Sequence, residues 1–232
     1  MEYFTARKVS PAIYVNVQLP AWLLQILAGD TSLRILDVGC GFGQMLTALR
    51  NEGFQFLSGV DISLQAIEHC QSEGFDVTTV DIANSSLNTT NKFDVIICSH
   101  VIEHIEKSKI ISVLANLRMY LSERGRLILL VPNAQANTGA YWAYEDFTHT
   151  TLFTSGSVYY VAKMAGFKSI NFLDTDCTMG GGKRHKYIIW PIVRLLLWLY
   201  KSNRHFWNYV TGSAYHAPSH EIYSYEIKAI LS

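Results

Sequence analysis

Short apolar runs alternate with stretches of helical period along most of this chain, a pattern that predicts β-strands joined by crossover helices. The periodicity places a first helix over residues 20–28, an apolar strand over 33–38, a glycine-rich turn and a helix over 44–51. A second strand, 56–60, ends on Asp61, and Ser63 stands where an N-cap would open the next helix. A third strand, 76–80, also ends on an aspartate, Asp81, before a polar loop over 84–91. A fourth strand over 93–99, a helix over 108–121, a turn at Gly125 and a fifth strand over 126–131 follow.

Beyond Pro132 the pattern loosens. Residues 133–151 are rich in Asn, Gly, His and aromatic side chains without a clean period, which suits a long functional loop; the aromatics argue against disorder. A helix over 155–165 closes at Gly166, a sixth strand spans 168–174, and 176–186 is glycine-rich with a basic end. Residues 188–201 read as a helix whose apolar positions (188, 189, 192, 193, 195, 196, 197 and 199) run nearly all round, which predicts burial. A last strand spans 222–231. Seven strands, the last two without a crossover, predict a doubly wound, mostly parallel α/β sheet with helices on both faces and an antiparallel edge. The 232 residues are expected to form one domain: a core over 33–133, an acceptor loop and cap over 133–216, and the final strand.

Composition refines this only at the margins. With 49% hydrophobic and 16% charged residues, a sizeable core is feasible. A formal net charge of zero and a pI near 7.1 provide no broad basic surface to neutralise phosphates, which argues against a dedicated nucleic-acid binder. Cys40, Cys70, Cys98 and Cys177 show no CxxC pairing, so reduced thiols in a cytoplasmic protein are expected, with neither zinc nor a disulfide framework. The first residues lack a secretory pattern. The apolar stretch 187–200 is shorter than the ~20 residues a spanning helix needs, and it carries Arg194 in its middle.

The candidate chemistry begins with LDVGCGFG at 36–43, directly after the first strand. Gly39, Gly41 and Gly43 let the backbone turn sharply and approach a ligand, and the helix that follows aims free N–H groups at it. Asp61, at the end of the second strand, sits where an acid accepts hydrogen bonds from a ribose diol. A dinucleotide loop would read GxGxxG around a pyrophosphate; this one is GxGxG and opens with Asp37, a charge that repels pyrophosphate but suits an ammonium group.

The run LDVGCGFG closely resembles motif I of class I S-adenosylmethionine-dependent methyltransferases. GVDIS at 59–63 resembles their ribose-binding motif, VDIA at 80–83 the segment beside adenine, FDVIICSHVIEHI at 93–105 the fourth-strand motif and GRLILLVPN at 125–133 the fifth strand. That resemblance implies a Rossmann-like fold and S-adenosylmethionine as cofactor. It places Asp37 and Gly39, in the loop with Cys40, Gly41 and Gly43, at the methionine end, and Asp61 on the ribose hydroxyls. Ile62 would pack on adenine, Asp81 and Ile82 would lie beside it with Asp81 accepting from its amino group, and Ser99 and His100 would flank the transferred methyl.

The stretch YEDFTHTTLFT, 144–154, resembles a segment of methyltransferases encoded with bacterial surface-polysaccharide pathways. It leaves the carboxyl edge of the sheet, where ligands bind in open α/β folds. His149 is the expected general base because imidazole titrates near neutral pH. Asp146 would orient it or bind a sugar hydroxyl, His104 completes the catalytic set, and Tyr141, Trp142 and Tyr144 offer stacking surfaces. The competing reading is a divalent-metal set of His100, Glu103, His104 and His149. It resembles the small-RNA terminal 2′-O-methyltransferases but departs from them in carrying His100 where they carry an acid. No metal is expected.

The basic flank and apolar helix over 183–201 suit either a core or dimer-forming helix or peripheral contact with the inner membrane face. The expected function is O-methylation of a sugar hydroxyl on a glycan or glycan precursor. The alternatives are methylation of another small hydroxyl acceptor such as a quinol or lipid precursor, metal-assisted RNA 2′-O-methylation, and a non-catalytic cofactor-binding subunit.

Overall fold

The computed structural model describes residues 10, 17–176, 190–212 and 221–232, side chains of Ala140 and Trp142 apart. Helix α1 (Ala21–Leu27) precedes strand β1 (Arg34–Val38), helix α2 (Gln44–Asn51), strand β2 (Phe56–Asp61), helix α3 (Leu64–Ser72) and strand β3 (Asp76–Thr79). Strand β4 (Phe93–Ser99), a 3₁₀ turn (Ile102–His104), helix α4 (Ile110–Met119) and the long strand β5 (Leu121–Pro132) follow. Then come α5 (Gly139–Glu145), α6 (Ser155–Met164), β6 (Ile170–Leu173), α7 (Trp190–Val210) and β7 (Glu226–Leu231). The seven strands form one sheet in the order β3-β2-β1-β4-β5-β7-β6. β1 to β5 run parallel, while β7 pairs antiparallel with both β5 and β6. This is the mostly parallel α/β sheet with an antiparallel edge that the sequence predicts.

The central strands are buried on both faces, which is why they read as continuous apolar runs. Leu36, Val38, Ile96, Cys98, Leu127 and Leu129 pack on one side with α4 and α6; Ile35, Val95, Ile97, Ile128 and Leu130 pack on the other with α1 and α2. Ser63 caps α3 as expected, its hydroxyl accepting from the Ala66 N–H at 3.3 Å.

Several boundaries differ from the expected ones for physical reasons. The turn at Gly125 lies inside β5: pairing passes from Phe93–Leu121 to Val95–Arg126, so residues 122–125 bulge while the strand continues. The loop over 133–151 contains a helix, α5. The last strand begins at Glu226 rather than 222, because the preceding residues are held by side-chain bonds outside the ladder. The buried Asn133 amide donates to the Ile222 and Ser224 carbonyls, both at 2.8 Å. The largest correction concerns α7, expected as a buried helix over 188–201: it runs to Val210 and none of its side chains is buried. Residues 177–189 and 213–220, with Cys177 and the basic flank 183–186, lie outside the described residues.

Candidate active site

In the order 3-2-1-4-5 the sheet reverses its winding between β1 and β4, and the crevice at their carboxyl ends is where open α/β sheets bind ligands. A cavity of about 830 Å³ opens there, walled by the β1 loop, the ends of β2 and β4, residues 80–83 and the turn after β4. Asp37, Gly39, Cys40, Gly41, Asp61, Ile62, Asp81, Ile82, Ser99, His100 and His104 line it.

The β1 loop is built around the β2 strand end. The N–H groups of Gly39 and Cys40 donate to the Val60 carbonyl at 2.7 and 3.0 Å. Asp61 accepts from the Gly41 N–H through Oδ2 and from the Ser63 N–H through Oδ1, each at 2.8 Å. An ionised carboxylate has about four acceptor positions, so Asp61 can template the loop and still receive a diol. Gly39, Gly41 and Gly43 all have positive φ (74°, 51° and 78°). A Cβ on Gly39 would meet Val101 Cγ2 at 2.3 Å, so the strand end and the β4 turn close on a bare backbone.

Asp37 is 3% exposed. Burial, with the charge of Asp61 as a second cause, pushes its carboxyl up to about 7. Ile62, 68% exposed, gives the cavity wall an uncovered apolar side chain. Asp81 accepts from the Ala83 N–H at 3.0 Å and the Asn84 amide at 2.6 Å, a local turn that fixes its carboxylate. Cys40 and Cys70 are buried free thiols; a hydrogen bond donated by the Cys40 thiol to Cys70, and then burial, push the Cys40 thiol far up, which disfavours its thiolate at neutral pH.

His100 has a left-handed backbone, φ 56°, and both ring nitrogens face carboxylates: Nδ1 lies 3.1 Å from Glu103 Oε1 and Nε2 3.2 Å from Glu226 Oε2. Desolvation pulls its pKa down, but those two hydrogen bonds outweigh it and raise the imidazole to about 9. His100 is therefore an imidazolium at neutral pH with both N–H groups donating. Of the expected four-residue metal set, His100 stands apart from the group whose ligand atoms converge. Behind it, Glu226 also meets the buried Lys228 at 3.2 Å, and Lys228 meets Asp174 at 3.1 Å. Nothing in the sequence signalled Glu226; β7 brings it back from 126 residues away.

The other three members of that set do converge. The ligand atoms of Glu103, His104 and His149 lie within 4.8 Å of one another. Glu103 is 0% exposed, and its Oε2 is buried with no hydrogen-bond partner. The acceptor loop is stitched to this turn: the Glu103 carbonyl accepts from the Thr150 N–H at 2.8 Å and its hydroxyl at 3.1 Å. The rings of His104 and His149 are tilted against each other with centroids 4.7 Å apart.

Asp146, expected to orient His149 or bind a sugar hydroxyl, is linked through Thr148 to His104. Its Oδ1 accepts from the Thr148 N–H at 3.0 Å and from the Thr148 hydroxyl at 2.6 Å. That hydroxyl oxygen lies 2.8 Å from His104 Nδ1. With its proton spent on Asp146, it accepts from His104, which sets the Nδ1–H tautomer of that ring. Burial lowers the His104 pKa, so the ring is neutral near pH 7. Thr148, absent from the expected site, is the joint of this relay; its place in the D-F-T-H run was the signal for it. Of the aromatic residues, Tyr141 and Tyr144 are exposed, and the side chain of Trp142 lies outside the described residues.

Known proteins share this frame. A ubiquinone biosynthesis O-methyltransferase of Rickettsia conorii is 30% identical over 112 residues, 46% of this chain and 38% of its own length. A tRNA U34 carboxymethyltransferase of Pseudoalteromonas translucida is 33% identical over 112 residues, 45% of this chain and 34% of its own length. The match thus spans well under half the length of these curated relatives. The crystal structure of a SAM-dependent methyltransferase from Archaeoglobus fulgidus has the same fold, with a TM-score of 0.64 at 17% identity, covering 99% of each chain. A TehB-like SAM-dependent methyltransferase from Corynebacterium glutamicum gives a TM-score of 0.57 at 14% identity, covering 99% of this chain and 91% of its own. The family model described as a methyltransferase domain matches residues 12–171, more than half of the sequence. The chain belongs to that methyltransferase-domain family.

Proposed function

We propose that this chain is an O-methyltransferase acting on a small hydroxyl acceptor, with a sugar hydroxyl as the acceptor class. When bound, S-adenosylmethionine supplies an electrophilic methyl group on a sulfonium. The fit of the cavity is supported by the bare Gly39 backbone under Val101, the exposed apolar wall at Ile62 and the buried acid Asp37. In this reading Asp37 and Gly39 hold the methionine end, Asp61 the ribose diol, Ile62 the adenine face and Asp81 the adenine amino group.

The observation that carries O-methylation is the Asp146–Thr148–His104 relay at the cavity wall. A hydroxyl oxygen must lose its proton as it is alkylated, and in this reading His104, its Nδ1–H given to Thr148, takes that proton on Nε2. Asp146 and Thr148 hold the tautomer, and His149 packs on the ring. The sugar class draws its support from the same D-F-T-H run, whose Asp146 and Thr148 build the relay. The relatives named for ubiquinone biosynthesis point instead to an acceptor of that kind, but their similarity spans about half of the chain at most. Labelled S-adenosylmethionine offered to nucleotide sugars, short glycans and catechols, with the product read by mass spectrometry, separates the two. Methylated catechol with no methylated sugar would end the sugar assignment, and methyl found only on nitrogen would end O-methylation.

A second reading is favoured by one observation, the partnerless buried Oε2 of Glu103 beside His104 and His149. One carboxylate oxygen and two imidazoles are a suitable set for a divalent cation that would polarise the acceptor hydroxyl.

A further inference from the structure

Helix α7 buries none of its side chains: Trp190, Val193 and Leu197 are half-buried beside its polar anchors, and a broad apolar stripe is left exposed. The anchors are polar at their tips: the Tyr200 hydroxyl donates to Asn137 Oδ1 at 2.6 Å, Lys201 pairs with Asp176 at 2.7 Å, and Arg204 donates to the Gln135 carbonyl at 2.9 Å. On the opposite face Ile192, Leu195, Leu196, Leu199 and Phe206 recur at helical spacing, and all five are exposed. Trp198 and Trp207, also exposed, flank that stripe on either side.

We infer that α7 is a docking surface for an anionic lipid bilayer, lying in the interface with its outward stripe among the acyl chains. The charge pattern selects this occupant. Lys201 and Arg204 are engaged by Asp176 and the Gln135 carbonyl, which leaves Arg194 as the exposed cation of α7; the helix has no acidic residue in 21 positions, and Lys183, Arg184 and Lys186 precede it in the sequence. Anionic headgroups complement such a helix, and tryptophans at the rim suit the boundary between headgroup and hydrocarbon. A second copy of the chain would bring two cationic helices together with no acid on either to answer them. No helix among the described residues is long and apolar enough to cross a membrane, so α7 would lie on the surface rather than span it.

The anchors of α7 also fix where the bilayer would stand. Gln135 and Asn137 follow directly on β5, at the carboxyl edge of the sheet where the cavity opens. Docking therefore brings the cavity edge to the lipid surface. This inference does not depend on which acceptor is methylated.

The test is co-sedimentation of the full chain with phosphatidylcholine vesicles containing or lacking about a third phosphatidylglycerol. The wild type is expected to pellet with the anionic vesicles, with a blue shift of tryptophan emission that Trp198→Phe reduces. The double variant Leu195→Asp/Leu199→Asp, whose side chains are exposed, should lower the partition coefficient at least tenfold while leaving S-adenosylmethionine affinity unchanged. Equal pelleting of wild type and double variant would overturn the inference, and so would equal binding to the neutral vesicles. A vesicle-free dimer in sedimentation velocity that the double variant converts to monomer would assign the face to a second copy and overturn it too.

Discussion

Asp61 accepts a hydrogen bond from the backbone N–H of Gly41 at 2.8 Å, across the gap between two neighbouring strand ends. The same carboxylate holds the Ser63 N–H, so one side chain sets the β1 loop and the start of α3 together. Asp61→Ala should weaken S-adenosylmethionine binding by about 1–3 kcal/mol, the usual loss for hydrogen bonds to a charged partner. Isothermal calorimetry measures it, and an unchanged affinity would remove both the ribose role and the templating role.

Asp37 predicts a pH dependence of cofactor affinity. Its folded pKa, raised from 3.8 to about 7, means that the folded protein holds a proton there that the unfolded chain has lost. The sign follows from linkage: the cofactor-free protein loses stability as pH rises from about 4 to 7. A cation taken up beside Asp37 pulls that pKa back down and expels the proton. Affinity should therefore tighten as pH rises toward 7, with proton uptake by the buffer visible in calorimetry across buffers of different ionisation enthalpy. Asp37→Asn should weaken binding and flatten the pH dependence; a variant that keeps the slope would assign the proton elsewhere.

Gly39 makes a steric prediction. A Cβ there meets Val101 Cγ2 at 2.3 Å on a backbone with φ 74°. Gly39→Ala should cost about 1–3 kcal/mol for the clash and roughly 1–2 kcal/mol for the left-handed backbone. Adding Val101→Ala should recover the first part and not the second. Thermal denaturation of the single and double variants reads both, and a Gly39→Ala protein with unaltered melting would show that the loop can give way.

The cavity wall formed by the β1 loop and the strand ends was legible because its signals are local. Glycines at 39, 41 and 43 and acids at strand ends act within a few residues of where the pattern places them, so motif and geometry coincide. The rest depended on long-range packing. His100 lines the cavity as its place after β4 suggests, but its second carboxylate partner, Glu226, comes from β7 and leaves no local trace in the sequence. The apolar count of α7 suggested burial, because composition does not reveal which face a helix turns inward. What decided it was a row of polar anchors on 135, 137 and 176, none of which a periodicity can see.

Glu103 separates the two mechanisms. If the relay alone carries the reaction, turnover should survive exhaustive chelation. If a cation sits against Glu103 Oε2, chelation should abolish activity and Mg²⁺ or Mn²⁺ restore it, with a metal requirement that Glu103→Gln shifts to higher concentration. Binding of Mn²⁺ followed by electron paramagnetic resonance gives a readout independent of turnover.

The relay itself yields the last prediction. His104 is neutral near pH 7 because burial lowers its pKa below 6.5, with the charge of Glu103 opposing and that of His149 assisting. A neutral base is lost only when it protonates, so the rate should rise with pH through a midpoint below 6.5 and level off above it. His104→Ala should cut turnover by about 10²–10⁴-fold, the range for a positioned base, while leaving cofactor affinity nearly unchanged. Thr148→Val keeps the ring but removes the oxygen that receives its Nδ1–H, so turnover should fall less, with kcat affected more than acceptor KM. His149→Ala should cost less than His104→Ala, because the relay runs past His149 to its neighbour. The opposite order of losses, with the acid limb of the pH profile vanishing in His149→Ala, would move the proton to His149 and reduce His104 to a packing partner. If Thr148→Val ran at the parental rate, the tautomer would not be set by Asp146, and the assignment of His104 Nε2 as base would fall with it.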